Sequence, residues 1–116
     1  MNRNAEGLAA ERVAATFLQN QGLKLLETNY RCRFGEIDLV LRDGDTLVFA
    51  EVRLRTDANF GGAAASITAK KREKLLKAAR HYLASRRGTA PCRFDAVLLS
   101  GMRRRDIEWI KSAFEE

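Results

Sequence analysis

The sequence predicts an α/β fold, in which a mixed β-sheet is flanked by helices, as a single domain over residues 1–116. Two stretches, at about 5–20 and 68–86, repeat apolar side chains at helical spacing. Apolar runs rich in β-branched residues lie elsewhere, and Asp43-Gly44-Asp45 between two of them is a strong hairpin signal. With 46% apolar residues, a chain of 116 residues can form one hydrophobic core but not two.

The first helix is predicted from Ala5 to Asn20 and ends near Gly22, a residue type typical of the position just beyond a helix. Its apolar side chains cover most of the circumference and leave a narrow polar strip. Glu11 lies outside that strip, within the apolar arc that should face the sheet. A buried carboxylate is costly unless it is paired or binds a metal. Glu11 is therefore either an edge residue whose carboxylate reaches water or an acid that belongs to a site on the sheet.

The next strands are predicted at the edge and in the centre of the sheet. Residues 23–33 are predicted to form an edge strand, and residues 35–43 the first strand of the hairpin. Because side chains alternate between the two faces of a strand, Ile37 and Leu39 are expected on the same face. Asp38 is expected on the opposite face, within an otherwise apolar strand.

The second strand of the hairpin has two charged residues, Glu51 and Arg53, on one face. An ordinary half-exposed hairpin accounts for them as solvated partners. The alternative is a metal site formed with Asp38, because Mg²⁺ is usually held by one or two carboxylates together with substrate phosphate and water. In that interpretation Arg53 would bind phosphate, and the metal would generate a hydroxide nucleophile.

The second helix is predicted to be capped by Ser66 or Thr68 and to run to about Arg86. Residues 70–87 include eight basic side chains and one acid, so their net charge of +7 exceeds the +6 of the whole chain. Such a local basic patch is typical of a surface that binds a polyanion, and a solvated helix face is the alternative. The candidate nucleic-acid-binding residues are Lys70, Lys71, Lys74, Lys77 and Arg80.

The last part of the chain is predicted to form two more strands. The first runs from Cys92 to Ser100, and in it Asp95 is expected to pair with Arg93 or to form a hydrogen bond near the site. A short final strand is expected at residues 107–110, followed by frayed residues. The small and polar residues 56–66 are expected to form a mobile loop that closes over bound substrate.

Several classes of protein are not expected. No run of 18 apolar residues occurs, so no membrane span is predicted. The N-terminus lacks the apolar core of a signal peptide, which predicts a cytoplasmic protein. Cys32 and Cys92 occur singly, without a C-x-x-C motif or a Cys/His cluster, which predicts reduced thiols and argues against zinc.

Together these motifs resemble the YraN family of small bacterial proteins, and the resemblance covers nearly the whole chain. The matching segments are Glu11, Gly35-Glu36-Ile37-Asp38, Phe49-Ala50-Glu51-Val52-Arg53, Phe60-Gly61-Gly62-Ala63 and Arg93-Phe94-Asp95. That family in turn is similar to the restriction-endonuclease-like nucleases with the PD-(D/E)XK pattern, especially Holliday-junction resolvases. The resemblance therefore implies a restriction-endonuclease-like core.

The resemblance also implies a set of site residues. Glu11, Asp38 and Glu51 would hold Mg²⁺ or Mn²⁺, with the carbonyl of Val52 as a further ligand. Arg53 stands where those nucleases have a lysine. Arginine keeps its charge and cannot act as a general base, but it can orient the scissile phosphate and stabilise developing charge.

Two functions from different classes are consistent with these features. The first is a metal-dependent endonuclease acting on DNA, with branched or structured DNA as a candidate substrate. The second is a non-catalytic nucleic-acid-binding protein that keeps the nuclease fold. Both predict salt-sensitive binding, but only the first predicts cleavage when divalent metal is added. A protein-interaction subunit that uses the sheet edge would show neither behaviour. Because resolvase-like proteins act as dimers, the resemblance also implies a homodimer.

Overall fold

The computed structural model describes residues 5–54, 68–86 and 90–114, apart from the side chain of Glu6. The predicted loop at 56–66, with the alternative cap residue Ser66, lies outside these residues. The elements are helix α1 (Ala5–Asn20), strands β1 (Lys24–Cys32), β2 (Gly35–Asp43) and β3 (Thr46–Leu54), helix α2 (Ala69–Ser85), strand β4 (Cys92–Leu99), a 3₁₀ turn (Arg104–Asp106) and strand β5 (Ile107–Phe114). No helix within the described ranges is long and apolar enough to cross a membrane.

The described strands form one mixed sheet in the order β1-β2-β3-β4-β5. Strands β3 and β4 are parallel, and the other neighbours are antiparallel. Parallel neighbours need a crossover connection, which here contains helix α2. The predicted α/β class, with a mixed sheet flanked by helices, is confirmed, and β1 lies at the edge as expected.

The two helices pack on opposite faces of the sheet and create two apolar layers. The α1 layer joins Ala10, Ala14 and Leu18 to side chains that include Leu39, Leu41, Val48 and Ala50. The α2 layer joins Leu75, Ala79 and Tyr82 to side chains that include Ile37, Val40, Phe49 and Phe94. Because both faces of the central strands are covered, these strands have near-continuous apolar sequences.

The end of α1 and the start of α2 lie where they are predicted, because each has a local hydrogen-bonding signal. At the end of α1, Gly22 has a φ of +101°, and the Leu23 amide donates to the Leu18 carbonyl at 3.1 Å. This is the Schellman pattern that glycine favours. At the start of α2, the Thr68 hydroxyl accepts from the Lys71 amide at 3.2 Å, so Thr68 is the N-cap.

The expectation that Ile37 and Leu39 share a face of β2 is wrong. Ile37 packs in the α2 layer and Leu39 in the α1 layer. Their partners on β1 flank Asn29, whose φ of +52° interrupts the pleat of that strand. The faces therefore change at Asp38, the residue between them.

Strand β5 is longer than predicted and extends to Phe114. Frayed residues were expected after residue 110, and this expectation is wrong for residues 111–114, which belong to the strand. The Phe114 ring stacks on that of Phe94 with centroids 5.2 Å apart and an angle of 20° between the rings. This contact between distant parts of the sequence buries the end of β5, which local sequence patterns do not reveal.

Candidate active site

A cleft of about 570 Å³ lies between β2, β3 and the first turns of helix α2. The residues that line it include Asp38, Glu51, Val52, Arg53, Lys71 and Lys74. Both carboxylates are buried, with Asp38 6% and Glu51 3% exposed. The cleft thus brings together Asp38, Glu51, Val52 and Arg53 from the predicted site with two lysines from the predicted nucleic-acid-binding set.

Asp38 lies where strands β2 and β3 separate. Their register runs from the pair Asp43–Thr46 to the pair Leu39–Ala50. Beyond it, the backbone amide of Val52 donates to Oδ2 of Asp38 at 2.9 Å. Val52 lies beyond the last paired residues of β2 and β3, and the Asp38 side chain supplies its amide with an acceptor in place of a β2 backbone carbonyl. This hydrogen bond fixes the Asp38 carboxylate next to the backbone of β3.

Glu51 is held by two cationic side chains. Its Oε2 lies 3.0 Å from Nζ of Lys71 and 3.2 Å from Nη2 of Arg53. Burying a carboxylate requires such compensation, since a charge removed from water costs several kcal/mol unless it is paired. The contact with Lys71 could not be predicted, because the helical pattern of α2 does not reveal which strand its first turn approaches.

The close approach of α2 to β2 occurs at Gly35. A Cβ atom at Gly35 would lie 3.6 Å from Cβ of Lys74, and the φ of +148° is one that residues with a side chain rarely adopt. The backbone conformation therefore favours glycine at this position, whereas the contact with Lys74 would be an ordinary van der Waals distance. The other candidate residues Lys70, Lys77 and Arg80 are exposed on α2, so the basic face of this helix lies beside the cleft.

Glu11 lines a different pocket, of about 430 Å³, between α1 and β1. Its carboxylate is buried, and Oε1 accepts a hydrogen bond from Nδ2 of Asn29 at 2.9 Å. Within the described part of the chain, no three acidic, histidine or cysteine side chains are close enough together to hold a metal ion. The structure therefore does not group Glu11 with Asp38 and Glu51, and its role as a third metal ligand stays a prediction.

The donor set of the cleft nevertheless fits a hard divalent cation. Asp38 and Glu51 supply buried, anionic oxygen ligands, and Mg²⁺ needs only one or two carboxylates when water and phosphate complete its shell. The backbone of Val52 touches Asp38 directly through its amide. The cleft thus offers two carboxylates as possible metal ligands, fewer than the three acids that the resemblance implies, and metal binding there stays a prediction.

Asp95 pairs with Arg93 and does not line the cleft. Its carboxylate is fully buried and also accepts hydrogen bonds from Nε1 of Trp109 at 2.9 Å and from the Ser112 amide at 3.0 Å. Arg93 in turn donates to Asp43 at 2.9 Å. Burial alone would lower the pKa of Arg93, but the carboxylates of Asp95 and Asp43 raise it overall. The role of Asp95 is structural.

The fold and the cleft define a small α/β protein whose five-stranded mixed sheet is compatible with a restriction-endonuclease-like core. The model of the uncharacterised protein family UPF0102 matches residues 10–99, and the chain belongs to this family. A UPF0102 protein of Nitrosomonas europaea is 63% identical over 111 residues, which are 96% of this chain and 94% of that protein. Another UPF0102 protein, from Nitrosospira multiformis, is 59% identical over 115 residues, which are 99% of this chain and 97% of that protein. The resemblance to the YraN family, which is UPF0102, is thereby confirmed, and the further similarity to nucleases stays a prediction.

Proposed function

We propose that this protein is a metal-dependent endonuclease that hydrolyses phosphodiester bonds in DNA, with branched or structured DNA as a candidate substrate. The main observation in support is that two buried carboxylates, Asp38 and Glu51, share one cleft with the cationic residues Arg53, Lys71 and Lys74. Carboxylates suit a divalent cation, and the cations suit the phosphate that would bridge to it.

In this proposal Asp38 and Glu51 hold Mg²⁺ or Mn²⁺, which when bound lowers the pKa of water and stabilises charge on phosphate. The Val52 amide orients Asp38 for that role. Arg53 binds the scissile phosphate. Its Nε is buried and has no hydrogen-bond acceptor among the described residues, so a phosphate oxygen would satisfy this donor.

Helix α2 supplies a path for the DNA backbone. Lys70, Lys74, Lys77 and Arg80 are exposed on the helix whose first turn holds Lys71 in the cleft. Contacts of this kind fix the position of a nucleic acid without reading its sequence. DNA that follows the helix therefore leads its backbone to Arg53 and the carboxylate pair.

The second candidate is a nucleic-acid-binding protein that does not cleave. It is favoured by the ion pairs of Glu51, because Lys71 and Arg53 together neutralise this carboxylate without any metal. In that case the carboxylates would shape the cleft and only the cations would contact DNA.

The deciding experiment is a cleavage assay on four-way-junction, flap, single-stranded and linear duplex DNA, with Mg²⁺, Mn²⁺ or a chelator. Asp38→Asn and Glu51→Gln change the charge of each carboxylate but hardly its size. We expect both to abolish metal-dependent cleavage and to leave DNA affinity within a few fold. Glu108→Gln is the control, because Glu108 is exposed on the edge strand β5 and does not line the cleft. Full cleavage by both site variants would refute the site, and binding without cleavage would support the second candidate.

A further inference from the structure

The two cations that contact Glu51 differ in how they are held. Arg53 lies two positions further along the same strand, and its side chain is 29% exposed. Lys71 comes from helix α2, and its side chain is 41% exposed. The lysine ammonium stands at the end of a flexible four-carbon chain, whereas the arginine fork is planar and rigid. Lys71 has the more exposed and more flexible side chain of the two, and it is therefore the cation that leaves Glu51 more readily.

A divalent cation and the Lys71 ammonium would compete for Glu51. Both need the same carboxylate, and Nζ already lies 3.0 Å from its Oε2. Mg²⁺ binds carboxylate oxygens at about 2.0–2.1 Å, so the two cations would be only a few ångströms apart. At about 4 Å, like charges repel by several kcal/mol near a protein surface, and more for a divalent ion.

Once displaced from Glu51, Lys71 remains in the cleft, where a substrate phosphate would give it a new anionic partner. It lines the cleft beside Arg53, where the proposed function places the scissile phosphate. Its backbone amide donates to the Thr68 cap at 3.2 Å, and its Nζ can change partner by rotation of the side chain. Lysine is a common phosphate ligand that acts as a point charge.

We infer that Lys71 is a phosphate-binding residue of the cleavage reaction that serves as the counter-ion of Glu51 until a metal ion replaces it there. This inference rests on the proposed function. It assigns opposite effects to one side chain, because Lys71 opposes metal binding in the free protein and assists the reaction once DNA and metal are bound. A residue with a merely structural role would not combine these effects.

The test uses the full chain with Lys71→Met, which keeps the length of the side chain and removes its charge. Isothermal titration calorimetry without DNA measures Mn²⁺ affinity, and we expect it to rise by roughly tenfold, as loss of a nearby like charge permits. In single-turnover cleavage of four-way-junction DNA, the same variant should be slower by about 100-fold or more, as for other lost contacts to developing charge. Lys71→Arg keeps the charge and should show no gain in Mn²⁺ affinity.

Lys74→Met is the matched control for the metal measurement. Lys74 lines the same cleft, but no ion pair joins it to Glu51 in the described structure, so its loss should change Mn²⁺ affinity by no more than about twofold. Unchanged or weaker Mn²⁺ binding by Lys71→Met, with binding abolished in Glu51→Gln, would overturn the inference and leave the proposed function intact. Absence of Mn²⁺ binding by the wild-type protein would overturn both.

Discussion

The Asp95 carboxylate links the two neighbouring strands β4 and β5. It accepts hydrogen bonds from Arg93 on its own strand and from the Trp109 indole and the Ser112 amide on β5. The register of β4 and β5 shifts between Phe94 and Ala96, which leaves Asp95 at an irregularity of the ladder. A buried side chain thus replaces a regular backbone pairing and attaches β5 to the sheet.

Asp95→Ala should destabilise the protein by about 3–5 kcal/mol, because it removes the buried carboxylate that accepts from Nε of Arg93, the Trp109 indole and the Ser112 amide. Urea denaturation would measure this loss of unfolding free energy. The probe is the fluorescence of Trp109, the only tryptophan of the chain, which lies on β5. Glu108→Ala removes an exposed carboxylate from the same strand and should change stability by no more than about 0.5 kcal/mol. A loss below about 1 kcal/mol for Asp95→Ala would show that the network contributes little.

Individual site residues were only partly predictable. Asp38, Glu51 and Arg53 stand out in the sequence because charges within apolar strands need a reason, and the structure places all three in one cleft. The sequence does not distinguish Lys71 from the other lysines of the basic helix. Its contact with Glu51 depends on how α2 packs against the sheet.

Among the elements, helix ends and the hairpin turn were the most predictable features. Gly22, Thr68 and Gly44 act through bonds and dihedral angles within a few residues, so local sequence determines them. The change of face at Asp38 was not predictable from alternation. It depends on the backbone of Asn29 on the neighbouring strand, and a period of two assumes an unbroken pleat.

The basic face of helix α2 leads to a prediction about salt. Replacing Lys70, Lys74 and Lys77 with glutamine should weaken DNA binding and reduce the slope of log affinity against log salt by about two to three, because each phosphate contact releases roughly one counterion. Fluorescence anisotropy between about 50 and 200 mM salt would measure this slope.

The matched control removes three charges from the opposite side of the molecule. Arg103, Arg104 and Arg105 are exposed, and Arg104 lines a groove with side chains of α1. Their replacement by glutamine should leave the slope unchanged. Equal effects of the two triple variants would mean that DNA responds to net charge and does not lie along α2.

In the molecule as a whole, the sheet separates the two packed layers and ends in a cleft on the α2 side. The central strands are covered on both faces, so most of their side chains can only stabilise the fold. Asp38 and Glu51 are the exceptions, since they are buried charges at the point where β2 and β3 separate. Burying two carboxylates there is unfavourable for folding, and a bound divalent cation would offset this cost.

The melting temperature should therefore depend on metal. A cation that binds only the folded state stabilises it by about 2.7 kcal/mol at a concentration of 100 times Kd, which raises the Tm of a domain of this size by several degrees. Thermal denaturation with Mn²⁺ or with a chelator would measure the shift, which should vanish in Glu51→Gln and increase in Lys71→Met at subsaturating Mn²⁺. An equal shift in wild type and Glu51→Gln would place the stabilising ion elsewhere on the surface, because Glu51 is the carboxylate for which metal and Lys71 compete.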